Sequence, residues 1–294
     1  MTPCYLIDSS IYIFRYYFSR TQAHQSRQGR EVGTALAYFR WLLGFINKTS
    51  PEWVAACFDE SLGSGFRHEL NPAYKSNRSF PDEELAYQLL ACKQLTSLAG
   101  IACYASETYE ADDLIATLFQ YAHRCGYEAV VLTRDKDLGQ VLDKEKGLFW
   151  DYGYDDPIGY DSFAREFGIA PEHIPDYLAI AGDSADAITG VRGVGKKTVA
   201  ALFQALGNWE AIKAGFELIP ELPIRGAAGV AKKLSDAREQ VDANLHLTRL
   251  RFDCLPENMC DLTRRRPDMD ALITLLDEFR ASPRLMAQAE ALGQ

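Results

Sequence analysis

Cys4-Tyr5-Leu6-Ile7-Asp8-Ser9-Ser10 is four apolar, strand-forming residues that end in an acid and two small hydroxyl residues. A short apolar run without polar alternation suits a parallel strand buried on both faces. An acid just past the carboxyl end of such a strand stands where open α/β sheets bind ligands. Taken singly, Asp8 is equally a cap for the helix that follows. The unit recurs, however. Trp53 to Phe58 ends in Asp59, and Ile101 to Ala105 leads to Glu110-Ala111-Asp112-Asp113. Glu128 to Thr133 runs into Arg134-Asp135-Lys136-Asp137, and Leu148 to Tyr152 is a further short strand. Helical patterns separate these runs, at Thr34 to Lys48 and Pro81 to Leu98. Strands alternating with helices predict an α/β fold with a parallel sheet. Asp8, Asp59, Asp135 and Asp137 would then share one rim of it.

Beyond a composition shift at Asp155 to Asp161 the chain turns helical. Helices are expected at Ser162 to Phe167, Pro171 to Ala181, Val199 to Leu206, Trp209 to Ala214, Ala227 to Leu245 and Met269 to Phe279. This divides the 294 residues into a core of 1–160 and a helical module of 161–294. The chain is 47% hydrophobic with a net charge of −10, which disfavours disorder and a basic protein that merely coats DNA. Clustered carboxylates neutralised by bound cations tolerate such a balance. Seven scattered cysteines without a CxxC pair exclude a disulfide framework or zinc site. No signal peptide and no apolar run of bilayer length is found, so a soluble cytoplasmic protein, acting as a monomer, is expected.

Two further stretches carry chemistry. Phe66 to Phe80 interleaves Arg67, His68, Lys75 and Arg78 with Phe66, Tyr74 and Phe80, a composition that suits phosphate and base contacts, though a solvated basic loop looks the same. Gly182 to Thr198 holds Asp183 and Asp186, then Gly190, Gly193 and Gly195, then Lys196-Lys197-Thr198 at a helix start. Free N–H groups there can meet a phosphate. Asp8, Asp59, Glu110, Asp112, Asp113, Asp135, Asp137, Asp183 and Asp186 would repel one another without cations. Acids in a first helical turn are also explained by the macrodipole, but capping residues have no reason to converge. Hard oxygen donors suit two Mg²⁺ or Mn²⁺ ions, and a pair of ions roughly 3.5–4 Å apart can clamp the attacking and leaving oxygens of a phosphodiester.

These motifs, in this order over residues 4 to about 250, resemble the 5′→3′ exonuclease and flap endonuclease family, which includes the N-terminal nuclease domain of bacterial DNA polymerase I and exonuclease IX-like stand-alone proteins. The resemblance implies a PIN-like α/β nuclease core with a short helical arch at about 66–98, followed by a helix–three-turn–helix at about 172–206. It implies a first metal held by Asp8, Asp59, Glu110 and Asp112, and a second by Asp113, Asp135, Asp137, Asp183 and Asp186, partly through water. Cleavage should depend on Asp112 and Asp135, with Lys75 and Arg78 on the scissile phosphate. Arg67, Tyr74, Gly190, Arg192, Gly193, Gly195, Lys196, Lys197 and Thr198 would hold DNA, and carbonyls near Val191 and Val194 a K⁺ ion. The implied substrate is DNA with 5′ flaps or 5′ ends, with any polymerase acting separately. Where the family usually has Ser-Asp-Asn, this chain has Ala185-Asp186-Ala187. A non-catalytic DNA-junction binder and a PIN-type ribonuclease are the alternative readings.

Overall fold

A computed structural model describes residues 2–19, 23–61 and 63–293. Five strands, β1 (Pro3–Asp8), β2 (Trp53–Asp59), β3 (Ala102–Ser106), β4 (Glu128–Leu132) and β5 (Leu148–Trp150), form one parallel sheet in the order β3-β2-β1-β4-β5. The chain winds outward from the central β1 to one side, then returns to lay β4 on the other. The topological switch point therefore lies between β1 and β4, where their carboxyl ends leave a crevice.

The helices are α1 (Ser9–Ser19), α2 (Gly33–Thr49), α3 (Phe66–Leu70), α4 (Glu83–Leu98), α5 (Ala111–Arg124), α6 (Tyr160–Phe167), α7 (Ile174–Ala181), α8 (Lys196–Leu206), α9 (Trp209–Ala214), α10 (Ala227–Asp236), α11 (Arg238–Thr248), α12 (Met269–Glu278) and α13 (Pro283–Glu290). Alternate residues of β1 enter opposite layers, as strand geometry requires. Ile7 packs with α1, α2 and α4, whereas Cys4 and Leu6 pack with α5, α6 and α7. Helix α7 also feeds a third core, in which Ala179 and Ile180 meet Val199, Leu202, Trp209, Val230 and Leu245 of the helical module. All seven cysteines are unpaired, and no described helix is long and apolar enough to cross a membrane.

Three expectations change. Helix α4 is not part of an arch, because Leu85, Ala91, Cys92 and Leu95 are buried, the last three in the core beside α2; only the chain from α3 to Pro81 can cross the site. The helical module does not extend to the end of the chain. Leu272, Leu276, Phe279, Leu285 and Ala289 of α12 and α13 bury in the same core as α2. The single helix expected over Ala227 to Leu245 is two, separated at Ala237, because α10 packs mainly on the 3₁₀ segment Phe216–Glu221 and α11 on α7.

Candidate active site at the switch point

Asp8 closes β1 at the switch point. Its carboxylate accepts the Ile11 amide (3.3 Å) and the Thr133 hydroxyl (2.8 Å), so it caps α1 and reaches across to the end of β4 at once. Thr133 Oγ1 also accepts the Asp135 amide, at 2.9 Å. One hydroxyl thus sets the spacing between the acids of the two strands. Asp59, at the end of β2, accepts the Ala111 amide at 2.8 Å, while its own amide donates to Ser10 Oγ. Asp135 in turn caps the 3₁₀ helix Lys136–Val141 by accepting the Asp137 amide.

The acids that open α5 divide their work. Glu110 and Asp113 form a reciprocal capping box, so the capping reading holds for these two. Asp113 is fully buried, and both its oxygens meet Arg67, with Nη2 at 2.8 Å. It also accepts the Arg251 amide at 2.9 Å. Arg67 is itself 3% exposed, and its Nε and Nη2 donate to the carbonyls of Leu247 (2.8 Å) and Arg249 (3.1 Å). These placements change two expectations: Asp113 does not line the acid cleft, and Arg67, though it touches the cleft wall, has its guanidinium bound within the protein and not free for DNA. They form a buried clamp that joins α3, α5 and the end of α11. Asp112, between the two capping acids, is the one directed at Asp8, Asp59 and Asp135. Burial raises its pKa well above the carboxylate range, and those three charges add to the shift.

Asp8, Asp137 and Asp59 are raised in the same way. Burial, with Asp59 and Asp135, pushes the Asp8 carboxyl up to about 7. Burial and Asp135 push Asp137 up to about 6 against the pull of Lys136. Asp59 is also raised, by burial and then by Glu110. Glu110 goes the other way: burial would raise it, but Lys75 and Arg67 outweigh that and hold it below its ordinary value.

Its partner Lys75 lies on the crossing segment, with Nζ 2.7 Å from Glu110 Oε1. Tyr74, which is buried, donates its hydroxyl toward Glu110 and Asp186, each at 3.1 Å. Arg78 pairs with Asp186, and Asn77 Nδ2 donates to the Ser184 carbonyl at 2.8 Å. The segment is thereby fastened to the loop after α7. Nothing in the sequence marked Asn77 for this role, since it is a lone amide whose acceptor is a backbone oxygen. Lys75 has φ +51° and Ala187 φ +56°, a left-handed conformation that costs non-glycine residues energy.

The hairpin after α7 shows what its glycines are for. Asp183 and Ile188 exchange backbone bonds at 2.9 and 2.8 Å. Gly182 and Gly190 then pack backbone to backbone: a Cβ on Gly190 would lie 2.3 Å from the Ala181 carbonyl. Gly190 is thus needed for internal contact, not for a ligand's approach. Gln240 and Asn244 brace the turn by donating to the Thr189 carbonyl. The Val191 carbonyl accepts the Val194 amide at 3.0 Å. Gly193 turns at φ +78°, and Lys233 of α10 reaches that turn. Arg192, Gly193, Gly195, Lys196 and Lys197 are exposed and Thr198 is half-buried. No side chain caps α8, and while the Thr198 amide donates to the Gly195 carbonyl at 2.9 Å, the amides of Lys196 and Lys197 remain available.

The cleft, about 280 Å³, is lined by Asp8, Asp59, Glu110, Asp112, Asp135, Asp137, Asp183 and Asp186, with Lys75 and Arg78 over it. Among the described residues no three carboxylates close on one point tightly enough to ligate an ion directly. The donor set nonetheless fits Mg²⁺, which keeps several of its waters and takes one or two carboxylates. Burial and mutual repulsion raise Asp8, Asp112 and Asp137, and a bound cation would favour their charged forms.

Comparisons with known proteins show the family of the chain. A family model described as the 5′–3′ exonuclease N-terminal resolvase-like domain matches residues 3–168, and one described as the 5′–3′ exonuclease C-terminal SAM fold matches residues 169–270. The chain belongs to the 5′–3′ exonuclease family. A 5′–3′ exonuclease of Aquifex aeolicus is 30% identical over 283 residues, covering 95% of this chain and 92% of that protein. DNA polymerase I of Pseudomonas aeruginosa is 32% identical over 279 residues, 94% of this chain but 30% of the polymerase; the chain spans about a third of the length of such polymerases. Two solved structures share the fold. The zinc-bound T5 5′-exonuclease has a TM-score of 0.69 at 19% identity, covering 99% of this chain and 100% of that one. A T5 flap endonuclease complex with DNA and metal ions has a TM-score of 0.66 at 20% identity, covering 99% of both. Beside Asn77, the side chains that the sequence left unmarked include Ser10, Gln140 and Asn244. Each acts through a backbone group supplied by a distant element, which no local pattern signals.

Proposed function

We propose that this chain is a divalent-metal-dependent 5′ nuclease that hydrolyses DNA at 5′ flaps and 5′ ends. The observation that carries the reading is the gathering of Asp8, Asp59, Asp112 and Asp135 in one cleft at the switch point, with the first three raised by burial and by neighbouring carboxylates. Two Mg²⁺ or Mn²⁺ ions would be held by Asp8, Asp59, Glu110 and Asp112, and by Asp135, Asp137, Asp183 and Asp186. When bound, they supply activation of a water and neutralisation of charge at the leaving oxygen. Water adds to phosphorus and the P–O3′ bond breaks, leaving a 5′-phosphate and a 3′-hydroxyl.

The chain's own groups position the strand. Burial alone would lower the Lys75 pKa, but Glu110 and Asp186 outweigh that and keep it charged. Lys75 and Arg78 leave their carboxylate partners for the scissile phosphate when DNA arrives. Gly193, Gly195 and the free amides of α8, with Arg192, Lys196, Lys197 and Thr198, take the duplex backbone. The carbonyls of Val191 and Val194 would hold a K⁺ ion, which would supply positive charge for the duplex backbone. A second reading, a DNA-junction binder without catalysis, draws on Lys75 and Arg78 already neutralising Glu110 and Asp186. Product mapping on a double-flap DNA, with Mg²⁺ and with EDTA, separates the two. Mg²⁺-dependent 5′-phosphorylated products support the nuclease, and tight binding without products supports the binder. A matched RNA flap cleaved faster than DNA would favour a ribonuclease.

A further inference from the structure

A groove of about 920 Å³ adjoins the acid cleft and shares Asp137 and Asp183 with it, and Lys196 and Lys197, placed above on the duplex backbone, stand on its rim; its apolar floor has no part in the hydrolysis described above. It lies between the 3₁₀ helix that Asp135 caps, α6, α7 and the start of α8. Its floor is apolar, with the half-buried rings of Phe167 and Tyr177 set among Ile169 and Leu178 and the fully buried Phe163 beneath them. The rings of Phe163 and Phe167 are 4.4 Å apart, with Phe149 edge-on to both. Its rim carries Lys136, Lys196 and Lys197. Lys136 is held by Asp137 at 3.1 Å, but Lys196 and Lys197 are exposed and form no ion pair among the described residues. Asp137, Leu178, Asp183 and Ile188 line both groove and cleft, so the groove opens directly onto the acids.

An apolar floor with two half-buried rings under a cationic rim matches neither a plain phosphate track nor a closed core. It matches a planar base joined to a phosphate, and the volume lies in the range of small-ligand pockets. We propose that the groove receives one nucleotide unit, its base on Phe167 and Tyr177 and its phosphate at Lys196 and Lys197. Resting on the nuclease reading, the inference assigns this unit to the first nucleotide on the duplex side of the bond that is cut. A free deoxynucleoside 5′-monophosphate, the smallest product of such cleavage, presents the same chemistry.

The test uses the full chain in EDTA, so that binding is read without cleavage. One arm titrates dAMP against the wild type and Phe167→Leu. The other measures affinity for flap DNA that is intact or abasic at the first duplex nucleotide. The abasic site should weaken the wild type about 10-fold, the size of one lost base–aromatic contact, and weaken Phe167→Leu no further. Ala200→Tyr, which fills the groove from α8, should lose the same increment and serves if Phe167→Leu does not fold. A dAMP response that Phe167→Leu removes, with a silent abasic site, assigns the groove to the free product. Silence in both arms, or abasic and Phe167→Leu effects that simply add, overturns the proposal. Flap cleavage in Mg²⁺ is scored separately: its absence overturns the nuclease reading while both binding arms still report on the groove.

Discussion

Replacing Arg67 with Met distinguishes a structural clamp from a DNA contact. The guanidinium meets both oxygens of a fully buried Asp113, touches Glu110 at 3.3 Å and donates to the carbonyls of Leu247 and Arg249. Met fills similar space but leaves Asp113 with only the amides of Glu110 and Arg251. Removing one partner of a buried pair costs about 3–5 kcal/mol. The two orphaned carbonyls belong to the same network and add less than their separate values. A loss of about 4–5 kcal/mol is a large share of a typical folding free energy of roughly 5–15 kcal/mol. At about 2–4 °C per kcal/mol for a chain of this class, the melting temperature should fall by roughly 10–15 °C. Arg67→Met combined with Asp113→Leu should recover much of it, because an apolar pair replaces the stranded charge. Melting of the two single variants and the double variant gives the coupling, expected above about 2 kcal/mol. DNA binding measured against salt completes the assay. Lys197→Ala, at an exposed position, should lower the slope of log K against log salt by about 1, while Arg67→Met should leave that slope alone. Unchanged melting for Arg67→Met, together with a slope reduced by about 1, would refute the clamp.

Asp112→Asn should reduce Mg²⁺-dependent flap cleavage by at least about 100-fold yet raise the melting temperature in EDTA, since one of four crowded charges is gone; undiminished cleavage removes Asp112 from the site. The metal-free protein should lose stability as pH rises. The Asp8 carboxyl titrates at about 7 when folded against an ordinary 3.8, so the folded state binds the extra proton between those values. Stability from this group is complete below about 4, declines through 7 and then levels, and Mg²⁺ should offset the decline at neutral pH. Melting curves at several pH values with EDTA and with Mg²⁺ check the sign, and a metal-free protein equally stable at pH 5 and pH 8 contradicts it. Ala187→Gly should stabilise the loop after α7 by about 0.5–1 kcal/mol in urea unfolding. Relief of a left-handed alanine, about 1–2 kcal/mol, exceeds the added freedom of the unfolded glycine, about 0.4–1 kcal/mol; a destabilised variant would mean that the strain is absent.

The strands and their acid ends were legible because a strand buried on both faces needs a continuous apolar run, and the break in that run marks its end. Cys4 to Ile7 before Asp8 and Trp53 to Phe58 before Asp59 are local facts. The parallel sheet and the shared rim follow from repeating them. The limits of the arch were not legible. Pro81 to Leu98 has a good helical pattern, yet whether such a helix spans a site or packs in a core depends on what covers Ala91 and Leu95, and that is α2. The return of α12 and α13 to the first domain is hidden for the same reason: an amphipathic helix shows that it has a buried face, not which layer buries it.

The division of labour among the acids shows most plainly where sequence stops. That Asp8, Asp59, Glu110, Asp112, Asp113 and Asp135 lie at strand ends or a helix start was decided by residues within a few positions of each. That Asp112 faces the cleft while its neighbour Asp113 is sealed behind it was decided by Arg67, and by the carbonyls of Leu247 and Arg249 that orient Arg67. A carboxylate's role depends on which charge and which N–H groups reach it in a low-dielectric interior. In this protein those groups arrive from elements that only the tertiary fold brings together.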